Sequence, residues 1–126
     1  MNTKESPQER ISTLLGQIQQ LARIQILFII DRDETCVCHI ESILGIRQAA
    51  ISQHLMALRK ARLVTTRRAG RHIYYRLVNQ EIIDLLHHAG LVLKISESSL
   101  AQLSLKPYPG CNCPQCKPDP DDNQVC

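Results

Sequence analysis

Residues 37–78, VCHIESILGIRQAAISQHLMALRKARLVTTRRAGRHIYYRLV, decide the fold. The first eight, Val37 to Leu44, set Ile40, Ile43 and Leu44 at helical spacing. Gly45 follows, the residue type that closes helices in a left-handed conformation, with apolar Ile46 just beyond. A longer helix is expected from about Gln48 to Ala61. Ile51, Leu55 and Leu58 share one face, and Ala49, Gln53, Met56 and Lys60 share another. Leu63 to Arg68 is rich in β-branched residues and reads as a strand, Ala69-Gly70 as a turn, and Arg71 to Val78 as the returning strand. Short helix, glycine turn, longer helix and hairpin make a winged helix-turn-helix. The expected class is mainly α with a β-hairpin wing.

Charge is concentrated in this stretch. Between Glu41 and Glu81 there is no acidic residue, but there are eight cations: Arg47, Arg59, Lys60, Arg62, Arg67, Arg68, Arg71 and Arg76. The whole chain is only +3, so the remainder is net acidic. A cationic block on an acidic body attracts polyanions, DNA foremost. A reading helix must offer polar side chains to base edges and cations to phosphates. Gln48, Ser52 and Gln53 suit the first role; Arg47, Arg59 and Lys60 suit the second. Arg67, Arg68, Arg71 and His72 gather at the hairpin tip, within reach of phosphates or a minor groove. The competing reading is a merely solvated basic face, and the glycine-turned helix pair beside a basic hairpin argues against it. His54 is ambiguous: it falls toward the inner side of its helix, where a packed, hydrogen-bonded histidine is expected ahead of the alternative, a DNA contact.

Outward from this unit, Ile11, Leu14, Leu15 and Ile18 form one helical stripe after the start signal Ser6-Pro7. A second helix is expected from about Leu21 to Ile30, and Asp31 to Thr35 reads as a polar break. A last helix, about Gln80 to Ile95, is apolar over more than one stripe. Apolar surface left on the first and last helices predicts a homodimer. Aromatic residues are 3% of the chain, so the core must be aliphatic. No uncharged apolar run approaches the roughly eighteen residues of a membrane span. The first residues hold no apolar signal core. A cytoplasmic protein with no membrane partner is expected.

From Ser104 the composition changes. Five of the six prolines and four of the six cysteines lie in the last twenty residues. The expected division is a winged-helix and dimerisation domain over 1–103 and a flexible Pro/Cys-rich tail over 104–126. In a chain without an export signal, clustered thiols favour metal or redox chemistry over structural disulfides. Cys36-Val37-Cys38 stands at the start of the first helix of the helix-turn-helix, where backbone amides favour thiolate. Two thiolates one residue apart can turn toward one ion, yet leave it short of ligands. The tail supplies Cys111, Cys113 and Cys116 as Cys-x-Cys-x-x-Cys. Cys126, being terminal, carries little weight. No nucleophile–base pair, phosphate loop or cofactor fingerprint is present, so an enzyme is not expected.

The run from Ile46 to Val64, with its Ser52-Gln53-His54-Leu55 core, and the wing from Arg68 to Leu77 resemble the ArsR/SmtB metalloregulators, bacterial winged-helix repressors. The likeness spans about Arg10 to Ile95. It implies a homodimer on palindromic operator DNA, released when an inducer binds. Glu34 to Ile40 is similar to the Cys-Val-Cys box of this family's arsenic, cadmium and lead sensors. Those sensors take further ligands from variable places. With no N-terminal cysteine here, Cys113 and Cys116, or Cys111 and Cys113, are expected to complete the set within or between subunits. Arsenic(III), satisfied by three thiols, is the favoured inducer, with cadmium, lead and zinc as possible ions. The chain departs from the family pattern at Arg47, where serine is usual, at Arg62, where glycine is usual, and at His39, where an acid is usual. His39 is expected as an exposed first-turn residue, and His87 and His88 as surface positions rather than a second metal site. Two other functions stand beside this one: a thiol redox or persulfide switch on the same fold, and a metal-storage protein with an incidental helix pair.

Overall fold

The computed structural model describes residues 4–104. In chain order it comprises α1 (Pro7–Ile18), α2 (Leu21–Ile30), β1 (Glu34–Cys36), α3 (Val37–Leu44), α4 (Gln48–Lys60), β2 (Val64–Ala69), β3 (His72–Leu77), α5 (Glu81–Val92) and α6 (Glu97–Ala101). A 3-10 turn over Gln102–Ser104 follows α6. The expected winged helix-turn-helix is therefore present. The tail cysteines Cys111, Cys113 and Cys116 lie outside the described residues, as does nearly all of the expected tail segment.

Local sequence accounts for the helix boundaries. Ser6 caps α1: its hydroxyl accepts from the Glu9 N–H while the Glu9 carboxylate accepts from the Ser6 N–H, and Pro7 sits in the first turn. That exchange also holds the Glu9 carboxyl below its usual pKa, chiefly through the Ser6 backbone N–H. Gly45 ends α3 at φ 64°, its N–H bonded to the Glu41 carbonyl. Among the described residues, three helices end on a non-glycine residue of positive φ: Asp31 (φ 53°) after α2, Arg62 (φ 62°) after α4 and Lys94 (φ 60°) after α5.

The core is aliphatic, as composition requires. Five consecutive residues of α2, Ile26 to Ile30, are buried, so this helix is the central post. Ile51, Leu55 and Leu58 of α4 are fully buried against it, joined by Ile40, Val64, Leu77 and Ile83. Each such side chain contributes about 1.5–3 kcal/mol on burial. Arg23 fastens the joint: it donates to the Gln17 carbonyl and, through Nε, to His54 Nδ1 at 3.3 Å. His54 is thus part-buried and hydrogen-bonded, as its position on the helix predicts.

Two elements differ from the sequence expectation. Thr35 and Cys36, read as a break and a helix start, belong with Glu34 to a short strand that pairs with β3, giving the sheet order β1-β3-β2. The expected last helix, Gln80 to Ile95, is α5 and ends three residues sooner, at Val92, and a further short helix, α6, lies beyond the expected range. After α5, Ser96 caps α6 by accepting from the Ser99 N–H, and Leu100 folds back onto Gly90. A Cβ built on Gly90 would stand 2.8 Å from Leu100 Cδ1, so only glycine admits this approach without displacement.

Candidate nucleic-acid interface and thiol site

Arg47 is the N-cap of α4 and Gln48 its first residue. Both are exposed, as are Ser52 and Gln53 one turn on, because buried Ile51 and Leu55 fix the opposite side of the helix inward. Arg59 and Lys60 occupy the last turn of α4, where they also favourably meet the helix dipole. The residues expected to read DNA thus share the exposed side of α4.

The wing pairs Ala69 with His72, leaving the two-residue turn Gly70-Arg71. Gly70 has φ 60°, and Arg71 is not among the residues of positive φ, the pattern of a type II′ hairpin with glycine first. Arg67, Arg68 and Arg71 are exposed. His72 is not: it is 5% exposed, its ring 6.1 Å from that of Tyr74. Alternation at the start of β3 explains this, since His72 and Tyr74 are buried while Ile73 between them faces solvent. Of the residues expected at the hairpin tip, His72 is the one placed as a packing residue.

Cys36 is both the last residue of β1 and the N-cap of α3, and Cys38 lies in the first turn of α3. Their sulfurs stand 2.9 Å apart. Cys36, 2% exposed, is opposite Tyr74 across the sheet and packs on it, with Cys38 and Ala69 around the pair. The two cysteines, Cys36 a thiol and Cys38 disulfide-bonded, are therefore seated against the wing as well as on the helix-turn-helix. His39, expected to be exposed, is fully buried. The unforeseen strand accounts for it: β1 runs directly into α3, so the sheet covers the first helical turn. Thr35 is also fully buried, and its hydroxyl has no hydrogen-bond partner among the described residues.

Sequence reasoning did not mark Glu34 or Tyr74. The Glu34 carboxylate accepts two bonds from Arg67, from Nη2 and from Nε, the latter at 3.0 Å. The same guanidinium lies 4.9 Å from the centre of the Tyr74 ring. The bond to Glu34 keeps Arg67 protonated even beyond its usual range. A second ion pair, Arg32–Asp84 at 2.5 Å, ties the start of β1 to α5 and lowers the Asp84 pKa, mainly through the Arg32 hydrogen bond. Among the described residues no group of three or more His, Cys, Asp or Glu side chains is placed to hold a metal ion. The two sulfurs alone fall one short of a trigonal thiolate set.

Apolar side chains are left uncovered on α1, α5 and the residues beside them. Ile11 of α1 is 56% exposed and Val92 of α5 is 81% exposed, with Leu15, Leu21, Leu91 and Leu93 also in solvent. Among the described residues no single helix is long and apolar enough to cross a membrane.

Residues 22–66 match the family described as bacterial regulatory protein, arsR family. The chain is 33% identical over 81 residues to the transcriptional repressor SmtB homolog of Synechocystis sp., covering 56% of this chain and 61% of that protein. It is 28% identical over 98 residues to the arsenical resistance operon repressor of Staphylococcus xylosus, covering 78% of this chain and 93% of that one. The solved structure of HlyU from Vibrio cholerae N16961 superposes with a TM-score of 0.62 at 33% identity, covering 68% of this chain and 96% of that one. The chain spans about three fifths of the length of several relatives it matches.

Proposed function

From the premise that the chain belongs to the arsR family of bacterial regulatory proteins, we propose that it is a transcriptional repressor that binds operator DNA as a homodimer and is released by a thiophilic ion. It is a regulator and not an enzyme. The observation that carries the reading is the position of the cysteine pair: Cys36 and Cys38, sulfurs 2.9 Å apart, lie where β1, the wing and the first helix of the helix-turn-helix meet.

Arg47, Arg59, Lys60, Arg67, Arg68 and Arg71 would meet phosphates, and Gln48, Ser52 and Gln53 base edges. The uncovered apolar face of α1 and α5 would join two copies. In the reduced protein, once the Cys38 disulfide is opened, Cys36 and Cys38 would hold the ion as thiolates, with the remaining sulfur from Cys111, Cys113 or Cys116. Arsenic(III) is the favoured ion, since three thiolates complete its set. The arsenical resistance repressor among the relatives supports that choice. Cadmium, lead and zinc are the alternatives. When bound, the ion supplies strong sulfur bonds that offset the entropy of ordering the tail. The chain's own part is mechanical. Cys36 ends one element and starts the next, so fixing its sulfur fixes the β1–α3 junction on which both wing and α4 rest. Release requires tighter binding of the ion to the DNA-free form, by a typical coupling of about 1–3 kcal/mol.

The test is a titration of the reduced protein with arsenite, read by the thiolate charge-transfer absorption. One ion per site and loss of the band in Cys36→Ser are expected; a band unchanged in that variant discards the site. The sulfur contact also favours a second reading, a thiol switch. One thiolate would attack peroxide to give a sulfenic acid, and a second thiol would displace water from it to form a disulfide. Peroxide-induced thiol loss in metal-free buffer, with loss of DNA binding, distinguishes it.

A further inference from the structure

Building on the DNA-binding reading above, we propose that Glu34 is an internal competitor for DNA. It holds the wing cation Arg67 in a closed pair that must open before Arg67 can meet a phosphate. The pair is bidentate, with Nε and Nη2 of Arg67 both donating to the Glu34 carboxylate. The Glu34 side chain is 20% exposed, Arg67 50%. Arg67 stands opposite Tyr74 and Glu34 opposite Arg76, so the pair bridges the two edge strands across β3. Tyr74 supports the guanidinium from below. Among the described residues Arg67 is the one cation of the eight in the basic block that is held in an ion pair.

A guanidinium presents the same fork of donors to a carboxylate as to a phosphate. The edge of Arg67 that Glu34 occupies is therefore closed to DNA. A carboxylate left beside a docked phosphate would also repel it. The placement on β1 gives this competition a regulatory position. Glu34 and Cys36 are the two ends of one three-residue strand, so the residue that sets the free charge of the wing shares a rigid element with the thiol site.

The experiment measures affinity for a duplex selected by the wild-type protein from a random pool, by fluorescence anisotropy over a salt series. Glu34→Gln frees Arg67. Binding is expected to tighten about three- to fivefold, the scale of a partly exposed pair. The slope of log affinity against log salt is expected to steepen by about 0.9, the value of one phosphate contact. Glu34→Gln placed in an Arg67→Gln background is expected to change neither. Asp33→Asn, which removes a neighbouring acid not paired with Arg67, is the control for net charge. An unchanged slope in Glu34→Gln overturns the proposal. So does a gain that survives without Arg67, or an equal gain from Asp33→Asn. A wild-type protein that selects no duplex defeats the regulator reading and this inference together. Selection with an additive Glu34/Arg67 cycle defeats this inference alone.

Discussion

Replacing Arg62 by glycine should stabilise the protein while weakening its hold on DNA. Arg62 follows α4 at φ 62°. Its N–H bonds to the Arg59 carbonyl at 3.0 Å, and the Leu63 N–H reaches back to the Leu58 carbonyl at 2.9 Å. These two bonds define a Schellman motif, with buried Leu63 and Leu58 as its apolar contact. A side chain in this left-handed conformation costs about 1–2 kcal/mol, which glycine avoids. Glycine also loosens the unfolded chain, at a cost of about 0.5–1 kcal/mol. The balance favours glycine by roughly 0.5–1 kcal/mol, or a rise in Tm of about 2–6 °C for a chain of this size. Lys94 is an internal control. It has φ 60° and the same two bonds, to Leu91 and from Ile95 to Gly90, each 2.9 Å. Lys94→Gly should stabilise by a similar amount and leave DNA affinity unchanged, because it lies outside the cationic block. The assay is urea denaturation at fixed protomer concentration, since any dimerisation makes stability concentration-dependent. A loss of stability in both variants would refute the strain argument. A gain in stability with undiminished DNA binding for Arg62→Gly would refute the idea that the strain is retained for its cation.

Gly90→Val should lower stability by about 1–3 kcal/mol, because a branched side chain there overlaps Leu100 and pushes α6 off α5; unchanged thermal unfolding would mean that α6 is not docked as described. Asp84→Asn tests the pair with Arg32. The folded pKa of Asp84 lies below its ordinary value of 3.8, so the stabilisation is present above the unfolded value and disappears as pH falls through the folded one. The variant should have a lower urea midpoint than wild type near neutrality and converge with it well below pH 3.8, by a small margin because both side chains are half exposed. Ile11→Glu puts a charge on the uncovered face of α1 and should shift the protein toward monomers in sedimentation equilibrium, with no change in the far-UV circular dichroism of the protomer; an unaltered dimer would move the interface elsewhere.

Much of the fold is readable from local pattern. Ile51, Leu55 and Leu58 recur at helical spacing and are the residues α4 buries, and Gly45 and Gly70 stand where positive φ is needed. Glu34 to Cys36 was not readable as a strand, because three residues are too few to show alternation and its pairing with β3 is made from forty residues away. The burial of His39 follows from that strand and was hidden with it. The short helix α6 was not foreseen although Ser96, a capping residue, marks its start, and the apolar run through Leu93 and Ile95 carried the expected end of α5 three residues too far. In the candidate site, sequence showed the cations and thiols but not their partners. Nothing near Arg67 in the chain announces Glu34, and nothing in the spacing of Cys36 and Cys38 announces Tyr74.

The central claim is that sulfur ligation and DNA binding share one scaffold and oppose each other. It is tested most directly by the affinity of the reduced protein for its selected duplex, measured with and without arsenite in wild type and in Cys36→Ser/Cys38→Ser. Coupling of about 1–3 kcal/mol predicts a fall of roughly 5- to 150-fold in wild type and none in the variant, with equal affinities in the absence of arsenite. Equal release of both proteins by arsenite, or of neither, would contradict the account.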